Sequence, residues 1–166
     1  MTTKLARSVA VLALCASGAA VAQEATLDAS AADTRPNELW LDTGFATYHF
    51  QSDKDLNGRN PGVGLEYRFH RDAAVTVGRF YNSDRQHSRY AGVYYQPWQY
   101  AGVRFGAVIG GFDGYPKMND GGWFAAIVPV ATWEYKRVGV NVAVVPTYKE
   151  RLHGGISMQL KFKLFE

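Results

Sequence analysis

The chain has 166 residues, with 18 Lys and Arg against 15 Asp and Glu. This length suits a single domain. Two of the basic residues, Lys4 and Arg7, stand near the start, so the rest of the chain is almost neutral, which predicts no nucleic-acid partner. The single cysteine, Cys15, lies in the same early segment, so no disulfide is expected. No segment reaches the roughly 20 consecutive apolar residues that a membrane helix needs.

The first 22 residues have the pattern of a secretory signal peptide. Lys4 and Arg7 make the start basic, residues 8–20 are apolar and small, and residues 20–22 read Ala-Val-Ala, which is a cleavage-site pattern. We expect residues 1–22 to be cleaved, residues 23–37 to form a periplasmic linker, and residues 38–166 to form the folded domain.

Eight short segments beyond residue 37 alternate between apolar and polar side chains with period two, which predicts β-strands. The connections between them are alternately long, as at residues 51–61, and short, as at residues 136–137. This alternation is typical of outer-membrane barrels, with the long loops outside the cell and both termini in the periplasm. The predicted strands cover residues 38–50, 62–70, 73–82, 89–97, 101–112, 123–135, 138–148 and 155–165.

The outward phase of the strands is apolar, as in the run Val63, Leu65, Tyr67 and Phe69. A soluble barrel normally carries polar residues on this face. We therefore predict an all-β fold, an eight-stranded antiparallel transmembrane β-barrel that is a monomer in the outer membrane of a Gram-negative cell. The expected aromatic girdles contain Tyr67, Trp98, Tyr100, Trp133 and Tyr135 at the turn end, and Tyr48, Tyr81, Tyr90, Trp123 and Tyr148 at the loop end.

The inward phase changes character along the barrel. Its periplasmic half is charged, and buried charges need partners, so ion pairs of Glu66 or Glu134 with Arg68 or Arg104 are expected. Its outer half is small and apolar, which predicts an unfilled cavity shaped for a linear hydrocarbon chain; the alternative is a tapered barrel whose interior is filled. Gly44 and Ala46 belong to this half, and the expected acyl pocket contains Gly78, Gly92, Gly106, Val108, Phe124, Ala126 and Val128.

Two prolines, Pro129 and Pro146, fall inside the sixth and seventh predicted strands. Proline removes a ladder donor, and unpaired backbone is costly in lipid. Two bulges would explain them, but beside an apolar cavity we favour a lateral gap through which a lipid enters.

Three polar residues mark the outer rim: His49 ends the first predicted strand, and Asn82 and Ser83 end or follow the third. Histidine is the natural base near neutral pH, and serine can be its hydroxyl partner, although a histidine at a strand end is often only solvated. Strict alternation places His49 and Ser83 in the lipid-facing phase. They must therefore lie above the sheet or follow a bulge to meet at the mouth.

These motifs resemble the lipid A palmitoyltransferases, eight-stranded outer-membrane enzymes that transfer an acyl chain from a phospholipid to lipid A. His49 matches the family's catalytic histidine, and Asn82 and Ser83 match its Asp-Ser pair. Pro129 and Pro146 match its prolines in strands six and seven, and residues 91–92 match its Ala-Gly step in strand four. The resemblance implies that His49 is the general base on the acceptor hydroxyl, that Asn82 orients it, and that Ser83 is a polar partner.

Two departures change what the resemblance implies. Asn82 replaces a carboxylate, and Asp84 is the nearest replacement for it. The glycine at the floor of the family's pocket falls near Tyr94, which implies a transferred chain shorter than palmitate.

The expected partners are a phospholipid acyl donor and a lipid A acceptor. No cofactor and no metal are expected, because the calcium-like start at residues 53–58 has Gly64 where a glutamate is required. Two other functions stay open: lipid A deacylation, and a non-enzymatic structural or adhesive barrel.

Overall fold

A computed structural model describes residues 36–149 and 151–165 of the chain. The predicted signal peptide, and all of the predicted linker except Pro36 and Asn37, lie outside the described residues. All eight predicted strands are present, and their ends lie within three residues of the predicted ones. They are β1 (Glu38–His49), β2 (Arg59–His70), β3 (Ala73–Tyr81), β4 (His87–Tyr100), β5 (Val103–Phe112), β6 (Phe124–Tyr135), β7 (Val138–Val145) and β8 (Gly155–Phe165).

The strands form a closed barrel in which each pairs antiparallel with its neighbours in the chain and β1 pairs with β8. The predicted fold class is therefore confirmed. A short 3-10 turn, Asn119–Gly121, lies in the β5–β6 loop. Within the described ranges, no helix is long and apolar enough to cross a membrane.

The outside of the barrel is apolar, as the outward phase predicts. Large apolar side chains on every strand face outward and are exposed, among them Val77 (57 %) and Ile127 (63 %). Exposing such an apolar surface to water is unfavourable, whereas contact with lipid is not, so the barrel is embedded in a membrane. The predicted girdle residue Tyr90 is an exception, because its side chain is buried inside the barrel. The exposed girdle aromatics are Tyr67, Trp98, Tyr100, Trp133 and Tyr135 at the turn end and Tyr48, Trp123 and Tyr148 at the loop end.

The turn end of the interior is closed by the expected ion pairs. The Arg68 guanidinium lies 3.1 Å from a carboxylate oxygen of Glu66 and 2.6 Å from one of Glu134, and Arg104 lies 2.8 Å from Glu134. Lys161, fully buried, is 2.7 Å from both carboxylates. These contacts compensate the cost of burying the charges and close the barrel below.

A bulge in β1 changes the direction of the side chains that follow it. The register with both neighbouring strands shifts between Thr43 and Phe45. Phe45, Thr47 and His49 consequently face the interior, and Ala46 is exposed. The prediction that Gly44 and Ala46 line the upper interior is wrong, because a bulge reverses the alternation that the prediction assumed. Gly44 is itself required here, since a Cβ would collide with the backbone carbonyl of Asn60.

Candidate functional site

Aromatic side chains fill much of the outer half of the interior. The Phe45 and Phe80 rings are 5.0 Å apart, and both contact Tyr90, at 6.1 and 6.0 Å. The series continues from Tyr90 to Phe112 at 6.3 Å and from Phe112 to Phe124 at 6.2 Å. The prediction of a largely unfilled slot is therefore wrong for this half of the barrel.

The inward glycines make room for neighbouring groups and leave no void. A Cβ on Gly78 would lie 2.7 Å from a ring carbon of Tyr90, and a Cβ on Gly92 would lie 2.9 Å from the Ile109 carbonyl oxygen. A Cβ on Gly106 would lie 2.6 Å from the Gln96 Cα. These three glycines are absent from the cavity wall described next, so their assignment to the acyl pocket is corrected. In a narrow barrel, the volume that a glycine releases is taken by a ring or by the adjacent strand.

A cavity of about 110 Å³ remains below the loop-end mouth. An engineered apolar cavity of about 150 Å³ holds benzene, so this one accommodates a few methylene groups and not a long chain. Five of the predicted pocket residues line it: Tyr94, Val108, Phe124, Ala126 and Val128. Val130, Ala143 and Val145 also belong to this apolar wall.

The opposite wall is polar, which the sequence interpretation did not anticipate. Thr47 donates to the Asn60 side-chain oxygen at 2.8 Å, and its hydroxyl oxygen lies 2.9 Å from that of Ser157. Because Thr47 has one hydroxyl hydrogen, Ser157 donates to Thr47. The Gln159 amide donates to the Thr43 carbonyl at 3.0 Å. This wall is built from mutually satisfied groups and offers polar atoms beside an apolar surface.

His49 lines the cavity in a defined orientation. Its Nε2 lies 3.3 Å from the backbone carbonyl oxygen of Asn57. A carbonyl only accepts, so Nε2 carries the hydrogen and the neutral ring has its lone pair at Nδ1. Nδ1 is buried and has no hydrogen-bond partner among the described residues. This tautomer leaves a nitrogen lone pair that no described residue uses.

Asn82 does not orient His49, which corrects the role predicted for it. Its fully buried amide donates to the Ser88 hydroxyl at 2.8 Å and to the Gly114 carbonyl at 2.7 Å. Its side-chain oxygen accepts from the backbone of Asp84 and Gln86, both at 2.9 Å. All of its hydrogen-bonding capacity is thus used within the β3–β4 turn and to attach the β5–β6 loop to it.

Asn57 links the histidine to this turn. Its backbone N–H donates to the Ser83 carbonyl at 3.0 Å, and its side-chain amide donates to the Asn82 carbonyl at 3.3 Å. The Asn57 carbonyl that receives the His49 hydrogen also accepts from the Asn60 amide at 3.2 Å. The β1–β2 loop therefore takes over the orienting role that the sequence interpretation assigned to Asn82.

The mouth brings together the end of β1 and residues from three loops. Ser83 and Asp84 line the same cavity as His49. Of the three predicted catalytic residues, His49 and Ser83 therefore line one cavity and Asn82 does not. His153, from the β7–β8 loop, and Tyr115, from the β5–β6 loop, line it as well and were not predicted. Burial, with a smaller contribution from the Asp84 charge, raises the pKa of the Tyr115 phenol above its usual value. An isolated histidine in a long loop gives no sequence signal of this meeting.

The ladder between β6 and β7 is incomplete in the outer half of the barrel. Pairing covers residues 130–135 of β6 and residues 138–143 of β7, so residues 124–129 have no partner on β7. Pro129 is the first residue of β6 without a partner on β7, although it pairs with Ala107 of β5, and it is exposed on the outside. Pro146 was predicted inside the seventh strand, but it lies outside it, directly after the last residue of β7. Ala126 and Val128 lie on the stretch that lacks partners on β7, and both line the cavity, so the break lies beside its apolar wall.

The closed fold and the apolar exterior define an eight-stranded membrane-embedded β-barrel. No protein-family model matches the chain, and no curated protein sequence matches it significantly. Among solved structures, it is similar to the solution NMR structure of the de novo designed protein TMB2.3. The TM-score is 0.57 at 12 % identity, over 81 % of this chain and 100 % of that one. At this identity the likeness concerns the fold alone.

Proposed function

We propose that this barrel is an outer-membrane acyltransferase that moves an acyl group from a phospholipid to a hydroxyl of lipid A. The observation that carries the proposal is the state of His49. Its Nε2 is held by a carbonyl, its Nδ1 is buried without a partner among the described residues, and the side chain lines the cavity below the outer mouth. A buried unpaired nitrogen is costly unless a ligand group completes it, and a general base requires such an atom.

In the proposed reaction, His49 Nδ1 accepts the proton of the lipid A hydroxyl while the hydroxyl oxygen attacks the donor's ester carbonyl. A new ester bond forms and the donor's ester bond breaks. The imidazolium then returns its proton to the oxygen of the departing lysophospholipid. Ser83 is a polar partner whose hydroxyl donates to the developing oxyanion, and it forms no covalent intermediate.

A carboxylate near the ring stabilises the imidazolium that forms during transfer. Asn82 carries no charge and its amide is committed elsewhere, so we assign this role to Asp84, which lines the same cavity. His153 is a second imidazole at the mouth, where it helps to position the headgroup of donor or acceptor.

The donor is proposed to enter between β6 and β7, where the ladder lacks its outer pairs. Its acyl chain would then lie against Ala126 and Val128 without crossing an intact sheet. The small cavity favours a short chain, or only the part of a chain next to the ester. A longer chain requires the Tyr90 ring to move.

Mass spectrometry of lipid A from Gram-negative cells that express the barrel tests the proposal. We expect added acyl mass with the wild type and with His70→Gln, an exposed histidine at the turn end, and none with His49→Gln. Equal acylation by the two variants contradicts the role of His49. Loss of acyl mass with the wild type indicates the deacylase instead.

A structural barrel is the second candidate, because the aromatic series from Phe45 to Phe124 gives the interior the packing of a core. This function predicts no change in lipid A mass with any of the three proteins. Equal folding of all three, judged by electrophoretic mobility before and after heating, is required for either conclusion.

A further inference from the structure

Two arginines lie directly opposite each other on the outside of the barrel. Arg79 of β3 pairs in register with Arg89 of β4, and both side chains belong to the outward phase. Cα atoms of such a pair are about 4.5–5.5 Å apart. Like charges in this position repel each other. An anion between the two guanidinium groups would offset this repulsion.

The structure fixes the position of one of the two guanidinium groups. Arg89 Nε donates to Asp113 at 2.8 Å, a terminal nitrogen lies 2.6 Å from the same carboxylate oxygen, and the guanidinium lies 5.6 Å from the centre of the Trp123 ring. Asp113 itself is buried. Arg79 has no ion-pair partner within residues 36–149 and 151–165, so the pair keeps an excess of one positive charge over Asp113.

The depth of the pair suits a lipid headgroup. The next outward pair towards the turns is Val77 with Ala91, and the next towards the loops is Tyr81 with His87, whose rings are 5.5 Å apart. The arginines therefore lie between the apolar belt and the loop-end aromatic residues. Phosphate groups of membrane lipids occupy this level, and their acyl chains lie along the belt below.

We propose that Arg79 and Arg89 form a binding site for the phosphate group of a membrane lipid, whose acyl chains lie on the outer surface at Val77 and Ala91. Guanidinium groups bind phosphate oxygens through paired hydrogen bonds, and a rigid Arg89 reduces the entropy lost on binding. A lipid is favoured over free phosphate because the adjoining surface is apolar. The site depends on membrane embedding and is independent of the proposed acyl transfer.

Native mass spectrometry of the barrel, released from neutral detergent micelles, tests this site. Three probes are added at equal concentration: dioleoyl phosphatidic acid, dioleoylglycerol and inorganic phosphate. We expect the wild type to retain phosphatidic acid and neither of the other two. Retention of dioleoylglycerol to the same extent would show that the phosphate group is not recognised. Equal retention of inorganic phosphate would show that the acyl chains do not contribute to binding. Either result overturns the proposal.

The variant Arg79→Gln is the sharpest probe, because it leaves the Arg89–Asp113 contact intact. We expect its affinity for phosphatidic acid to fall about tenfold, a change within the range of one lost charge-assisted contact. Arg137→Gln, in the turn at the opposite end, is the matched control and should retain wild-type binding. Unchanged binding by Arg79→Gln overturns the site. Acyl transfer is measured from the mass of lipid A and this site from retained phosphatidic acid, so the two proposals fail separately.

Discussion

His49 donates its Nε2 hydrogen to the backbone carbonyl of Asn57, eight residues later in the chain, at 3.3 Å. This bond fixes the tautomer and turns the lone pair to Nδ1, so the β1–β2 loop determines whether the ring can act as a base. A side-chain orienter such as Asp or Asn is not needed for this step. The carbonyl is in turn held by Asn60, which makes the loop the element to perturb.

Asn60→Ala should lower both stability and the proposed activity. Its buried side chain donates to the carbonyls of Asn57 and Tyr81 and accepts from Thr47. Removing it leaves these groups unsatisfied, which should reduce the free energy of unfolding by about 2–3 kcal/mol. Urea unfolding in micelles measures the change, with the exposed Gln99→Ala as control. A loss as small as that of the control would contradict the role of Asn60.

Tyr90→Ala should enlarge the cavity. The ring fills the space over Gly64 and Gly78, so its removal opens the upper interior and costs about 3–5 kcal/mol of stability. If the barrel transfers acyl groups, lipid A should then carry longer added chains, which mass spectrometry resolves. Tyr95→Ala, exposed on the same strand, should leave chain length unchanged. An identical chain-length distribution for both variants would show that Tyr90 does not limit the pocket.

The break between β6 and β7 should be visible in amide hydrogen exchange. Residues 124–128 lack partners on β7, whereas residues 130–135 are paired on that side. We compare the least protected amides of each stretch in lipid nanodiscs. Exchange should be about tenfold faster in residues 124–128 than in residues 130–135, because amides without a partner on β7 open at low cost. Uniform protection along β6 would mean that the ladder is closed in the membrane and that lipid has no entry there.

Lys161→Met should strongly destabilise the barrel. The buried ammonium contacts Glu66 and Glu134 at 2.7 Å and lies 4.6 Å from the centre of the Trp40 ring. Its loss leaves carboxylates short of compensating charge, at a cost of about 3–5 kcal/mol. Adding Glu66→Gln to the variant should recover part of the loss, while Lys117→Met in an exposed loop should be neutral. Equal unfolding free energies for Lys161→Met and Lys117→Met would contradict this account of the ion pairs.

The candidate site was predictable only where it depends on residue type and strand position. His49 and Ser83 were placed at the outer mouth from their positions at strand ends, and both line the cavity. The orienting role of Asn82 was implied by the resemblance of Asn82 and Ser83 to the family's Asp-Ser pair. Its amide is instead used by Ser88 of the β3–β4 hairpin and Gly114 of the β5–β6 loop. Asp84 was noted as the nearest carboxylate, and it does reach the cavity, whereas His153 comes from a loop that no local pattern connects to the site.

The sequence by itself determined the eight strands, the apolar exterior and the ion pairs at the turn end, because alternation with period two is a local property that any closed barrel preserves. Only the tertiary structure decided which way His49 points, since one bulge at Gly44 reverses every side chain after it on β1. It also decided how much space remains inside, because the volume that Gly64 and Gly78 release is taken by Tyr90. Both outcomes depend on atoms that meet across the barrel, and such contacts leave no periodic signal in the chain.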